Sequence, residues 1–99
     1  MNKNFSNTYN EKVQNEILFF LYNQGCFGKY HYPIKGIQHK IIINGERVSS
    51  GDLKKAIKSL LKTGLVLRYK KLKNIHLNSH KKEKILEKIQ YKLNQRLEF

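Results

Sequence analysis

The chain is short of the residues that do chemistry. Of its 99 residues one is cysteine, one is proline and none is tryptophan. A lone thiol, Cys26, excludes an intrachain disulfide framework and points to a reducing compartment, where it is expected to serve as a small buried hydrophobe. The histidines His31, His39, His76 and His80 form no clustered pairs with cysteine, and His76 and His80 straddle a strand-to-helix boundary. No metal site is expected from that spacing. Gly25 and Gly28 lack the glycine spacing and the Lys-Ser/Thr of a phosphate-binding loop. Glu83 and Glu87 read as helix-surface partners of Lys84 and Lys88 rather than a catalytic pair. The residues thus give no support for an enzyme, and no cofactor is expected. No apolar run approaches the ~20 residues that span a bilayer, and no basic segment ends in a broad hydrophobic face, so no membrane partner is expected. The opening, MNKNFSNTYN, lacks the apolar core of a secretion signal, and a cytoplasmic protein, nucleoid-associated if bound to DNA, is expected.

Acidic side chains are few beside the basic ones. Seven acids face twenty lysines and arginines, for a formal charge of +13 and a pI near 10.0. From Leu53 through Lys82 there is no acid at all. A solvated charged face normally mixes signs. A single-sign field costs stability through self-repulsion and implies an anionic partner, of which nucleic acid is the first candidate. With 39% apolar residues, the chain is expected to form one domain with a modest core.

The organising stretch is VSSGDLKKAIKSLLKTGLV, Val48 to Val66. Ser49 with Asp52 fits a capping box, and Leu53, Ala56, Ile57 and Leu60 recur at helical spacing as one buried stripe. Gly64 supplies the left-handed residue that ends such a helix. The opposite face carries Gly51, Lys54, Lys55, Lys58 and Lys62. After it, Leu65, Leu67 and Tyr69 alternate with Val66, Arg68 and Lys70 as in a half-buried strand, and Ile75 and Leu77 make a return strand. Between them lies a basic hinge, Lys70-Lys71-Leu72-Lys73-Asn74.

Val48, Ser49, Leu53, Ala56, Ile57, Leu60 and the close Gly64-Leu65-Val66, with the basic hairpin after them, resemble the recognition helix and wing of winged helix-turn-helix proteins. The resemblance implies an α+β fold, a three-helix core with a small β-hairpin wing, here followed by a C-terminal helix. It implies insertion of the helix in a major groove, with Ser50, Gly51, Lys54, Lys55, Lys58 and Lys62 toward the DNA. It also implies a wing that lies along phosphates through Arg68, Lys70, Lys71 and Lys73.

Residues 1–9 are expected to be a disordered arm, residues 10–78 the winged helix domain and residues 79–97 an amphipathic helix. Thr8 with Glu11 repeats the capping pattern and opens a helix to about Asn23, with Val13, Ile17, Phe20 and Leu21 inward and Lys12, Gln14, Asn15 and Glu16 outward. Cys26 to Tyr32 interleaves aromatics with Lys29 and His31. An edge strand completing a small core is favoured there over a base-stacking surface. Pro33 is expected at the first position of a helix through Ile34, Ile37, Ile41 and Ile42 to Ile43. The family pattern is broken after it, because NGERV is longer than the usual turn. A hairpin pairing 41–43 with 46–48 through Asn44-Gly45 is the competing reading. In the last helix Ile85, Leu86, Ile89, Leu93 and Leu97 form a stripe. It would either make a homodimer through residues 79–97 or pack on the first helix of its own domain.

The expected function is double-stranded DNA binding, as a small transcriptional regulator. The groove face offers Lys and Ser but no Arg, Asn or Gln, the types that make bidentate base contacts, so a low-specificity architectural binder is a variant of that reading. RNA binding, which would use Lys29, Tyr30 and Tyr32, is one alternative. A protein–protein docking winged helix is another.

Overall fold

The computed structural model describes residues 8–70 and 73–97. It is an α+β fold of four helices and a small antiparallel sheet, with a separate two-stranded hairpin. Helix α1 spans Tyr9–Asn23, and both halves of the Thr8/Glu11 capping box are formed. Its inner face buries Val13, Ile17, Leu18 and Leu21. Asn15, expected outward, is buried as well, whereas Phe20 is only partly covered.

The chain leaves α1 through Gly25 and passes Cys26, whose carbonyl accepts from the Leu77 amide at 2.8 Å. It then enters β1 (Tyr32–Pro33) and α2 (Ile34–Gln38). Pro33 is therefore the N-cap of α2 and not its first residue. The helix expected to run to Ile43 stops five residues earlier. Ile42–Ile43 is instead strand β2, paired in register with β3 (Glu46–Arg47) as Ile42↔Arg47 and Ile43↔Glu46. The reason is Asn44-Gly45. Both residues take positive φ, 54° and 80°, which a two-residue hairpin turn of the favoured hand requires. Ile37 and Ile41 are buried by either arrangement, so their helical spacing did not discriminate.

Helix α3 (Ser50–Thr63) begins at the Ser49 cap, whose hydroxyl accepts from the Asp52 amide at 3.2 Å. Leu53, Ala56, Ile57 and Leu60 are its buried stripe. Gly64 closes the helix at φ 81°. The amide of Leu65 turns back to the Leu60 carbonyl at 3.1 Å and that of Gly64 to Leu61 at 3.2 Å, the pair of bonds that satisfies the last free carbonyls. This closure drives Leu65 into the core just before the strand starts.

Strand β4 (Val66–Arg68) consequently runs out of phase with the expected alternation. Val66 is buried beside Leu65, and Leu67 faces out at 39% exposure. Strand β5 (Asn74–Leu77) is the sheet's centre, antiparallel to β1 on one side and β4 on the other. Asn78 ties its end to the α3 closure, donating from its amide backbone to the Leu65 carbonyl and from its side chain to that of Gly64. A 3-10 turn, Ser79–Lys81, leads into α4 (Lys82–Leu97).

Helix α4 packs on α1, burying Ile85 and Ile89 fully and Leu86 and Leu93 in part. The stripe thus closes the core of its own chain; the side chain of Leu97 lies outside the described residues. Lys92 of α4 pairs with Glu16 of α1 across this seam. No helix among the described residues is long and apolar enough to cross a membrane.

Candidate nucleic-acid interface

Once its apolar stripe is consumed by the core, α3 has a free face. Ser50, Gly51, Lys54, Lys55, Lys58 and Lys62 are all exposed on it. The added methyl of an alanine at Gly51 would meet nothing within 4 Å. That face is open along the length of the helix.

The wing stands at the end of β4 and the start of β5. Arg68, Lys70 and Lys73 are exposed; Lys71, also expected here, lies outside the described residues, as do residues 1–7 of the expected arm. Lys70 holds φ 46°, a left-handed conformation uncommon for a residue with a Cβ, and its ammonium lies 5.5 Å from the centre of the Tyr69 ring.

Two contacts fix the base of the wing. The Tyr69 amide donates to the Asn74 carbonyl at 3.0 Å, and the Ile34 amide, the first of α2, donates to the Lys73 carbonyl at 2.9 Å. The second bond links the wing to the helix beside α3. From the loop before β1, His31 adds a ring stacked on Tyr69, and its Nδ1 is hydrogen-bonded to the Asn74 side-chain amide at 2.6 Å.

Between α3, the start of α2 and the root of the wing lies a cleft of about 590 Å³. Lys54, Ile57, Lys58 and Leu61, spaced i, i+3, i+4 and i+7, line one wall; Ile34, Lys35, Arg68 and Lys73 line the rest. Of the expected residues, Lys54, Lys58, Arg68 and Lys73 therefore meet around one opening. Lys55, Lys62, Ser50, Gly51 and Lys70 lie outside it, on the flanking surface. Lys35 and the aliphatic floor escaped the sequence reading, because only the fold of α2 onto the wing brings them there. Among the described residues no acid lines the cleft.

The aromatic run before β1 divides. Tyr32 packs edge-on against Phe20 with centroids 4.9 Å apart and is part of the core, as an edge-strand role requires. Tyr30 is 61% exposed, with the Lys29 ammonium 5.5 Å from its ring centre. Cys26 is buried, and desolvation pushes its thiol pKa up, away from the reactive thiolate. Among the described residues no group of three His, Cys, Asp or Glu side chains comes together to hold a metal ion.

Comparison with known proteins finds no matching family model, no similar curated protein and no similar solved structure.

Proposed function

We propose that this chain is a winged helix-turn-helix protein that binds double-stranded DNA, acting as a small transcriptional regulator, with α3 in the major groove and the wing along the flanking phosphates. The element order supports the fold: helix, strand, helix, reading helix and two-stranded wing, with β1 joined to the wing's return strand. The departure is the β2–β3 hairpin where a short turn is usual. It stands before Ser49 and leaves the outward face of α3 unchanged.

The observation that carries the function is the sign of the charge on one continuous surface. Lys54, Lys58, Arg68 and Lys73 converge from α3, β4 and the residue before β5, with Lys35 beside them, and among the described residues no acid lines the opening they share. Lys55 and Lys62 extend the cationic surface along α3. Phosphates on a duplex neutralise such a field and release counterions. Ser50 and Gly51 at the helix start are the closest fit to base edges, and the low bidentate capacity of this face points to modest sequence discrimination.

The test is fluorescence anisotropy of a mixed-sequence DNA duplex at several salt concentrations, beside the Lys54/Lys55/Lys58→Ala triple variant and an RNA duplex. With about six phosphates neutralised, log K falls against log salt with a slope of about −5. The slope flattens in the variant. Equal binding by wild type and variant would remove α3 from the interface. Preference for RNA would favour the alternative reading, in which exposed Tyr30 and Lys29 contribute a stacking site.

A further inference from the structure

The floor of the cationic cleft is not what a phosphate backbone needs. Ile34 and Leu61 are only partly buried and, beside the buried Ile57, present aliphatic surface in a cleft also lined by Lys35, Lys54, Lys58, Arg68 and Lys73. Phosphates would use the rim and leave this surface wet. A concave apolar floor with a few convergent charges is the usual form of a small-molecule site, and about 590 Å³ is within the range for one. Among the described residues no aromatic ring lines the cleft, which argues against a stacked base and for an alkyl chain.

We propose that this cleft binds an amphipathic anion, a single alkyl chain ending in a carboxylate or phosphate. The chain lies over Ile34, Ile57 and Leu61, and the head group is held by the surrounding cations. Resting on the nucleic-acid reading, the ligand takes Lys54, Lys58, Arg68 and Lys73 away from phosphates and so opposes duplex binding. The duplex must weaken the ligand by the same factor.

The probe is monomeric decyl phosphate, titrated calorimetrically into the full chain without nucleic acid, with butyl phosphate and inorganic phosphate beside it. Burial of only about two of the six extra methylenes would already make decyl phosphate bind about tenfold more tightly than butyl phosphate, and at least that gain is expected. Lys35→Ala and Leu61→Asn should each weaken it severalfold, whereas Lys88→Ala, a charge removed from α4, should not. Circular dichroism melts identify any variant that fails to fold, and Lys35, being exposed, provides the variant least able to disturb the core.

Equal affinity for the three phosphates overturns the proposal, as does equal loss in Lys35→Ala and Lys88→Ala. Binding to phosphatidylglycerol vesicles without binding of the monomeric probe also overturns it, in favour of adsorption to a charged surface. In the competition arm, decyl phosphate should displace the labelled duplex. Simultaneous binding of both overturns the shared-cation argument. Chain-dependent ligand binding with no duplex binding at all overturns the nucleic-acid reading and supports the ligand site.

Discussion

The imidazole of His31 lies flat on the phenol of Tyr69, ring centroids 3.9 Å apart and planes 19° apart, and joins the loop before β1 to the residue that follows β4. The Asn74 side-chain amide lies 2.6 Å from His31 Nδ1, within hydrogen-bond distance, so the same ring that stacks on Tyr69 also holds Asn74. Stack and hydrogen bond thus hold Tyr69 and Asn74, the two residues whose backbones already bridge the wing root. His31→Ala should cost about 1 kcal/mol in urea unfolding, and a double-mutant cycle with Tyr69→Leu should give a coupling of about 0.5–1.5 kcal/mol. Zero coupling would mean the rings touch without bracing anything. A braced wing also predicts weaker duplex binding by His31→Ala with an unchanged salt slope, since no phosphate contact is lost.

One substitution should have opposite effects at two glycines of the same helix. At Gly64 the backbone is left-handed, φ 81°, and an added Cβ would lie 3.2 Å from the Lys81 ammonium, which donates to the Thr63 carbonyl. Gly64→Ala should therefore destabilise by about 1 kcal/mol or more. At Gly51 the space is open, and alanine removes unfolded-state entropy, so Gly51→Ala should be neutral to about 0.5 kcal/mol stabilising. Because Gly51 faces the proposed groove, the same variant should lower duplex affinity while raising the melting temperature. A parallel fall of both would place the residue in the fold rather than at the interface.

The contrast between α3 and the segment before it shows where the sequence was legible. In α3 each local rule agrees: Ser49 caps, the stripe is periodic, Gly64 closes, and the structure follows within a residue. In Ile34 to Val48 the rules conflict. Ile34, Ile37 and Ile41 are spaced for a helix, while Ile41-Ile42-Ile43 is β-branched and Asn44-Gly45 fits a tight hairpin turn. Burial of Ile37 and Ile41 satisfies both, so the decision falls to the turn, which fixes two residues at positive φ. The outward lysines of α3 could be named from periodicity. The cleft could not, because Lys35 and Arg68 are brought together by long-range pairings: the Ile34–Lys73 backbone bond and the registers of β5 with β1 and β4. Leu67 departs from the expected alternation because the α3 closure takes Leu65 into the core before the strand begins.

The hairpin turn can be tested directly. Gly45→Val asks a β-branched residue to hold φ 80°, whereas Asn44→Asp keeps a residue type that tolerates the left-handed region. The first should cost about 1–2 kcal/mol, and the second about 0.5 kcal/mol or less. Amide exchange should show the difference at Val48, whose amide donates to the Ile41 carbonyl at 3.4 Å and depends on the hairpin register. Unchanged protection there in Gly45→Val would mean the turn does not set the register.

Cys26 should behave as a core residue toward reagents and toward pH. Burial raises its pKa in the folded chain above that of the unfolded one. Between those two values the folded state holds more protons than the unfolded state. Stability therefore falls as pH climbs past the ordinary thiol value, and is unaffected by this group well below it. Modification by a thiol reagent at neutral pH should track the unfolded population across a urea titration. Rapid labelling in the absence of urea would show an opening at the Cys26–Leu77 seam that the 2.8 Å backbone bond argues against.

Stability and binding should separate at α4. Ile89 is fully buried, and α1 packs against both α4 and α3, so α4 supports α3 from behind through α1. Ile89→Ala should cost about 2–5 kcal/mol by leaving a cavity. Glu16→Gln, breaking the partly exposed pair with Lys92, should cost about 1 kcal/mol or less. At temperatures where Ile89→Ala remains folded, its duplex affinity should match wild type, because no groove-facing residue has moved. The same variant tests self-association through this helix. If α4 closes only its own chain, the melting temperatures of wild type and variant are independent of protein concentration; a dimer held by α4 makes the wild-type value rise with concentration.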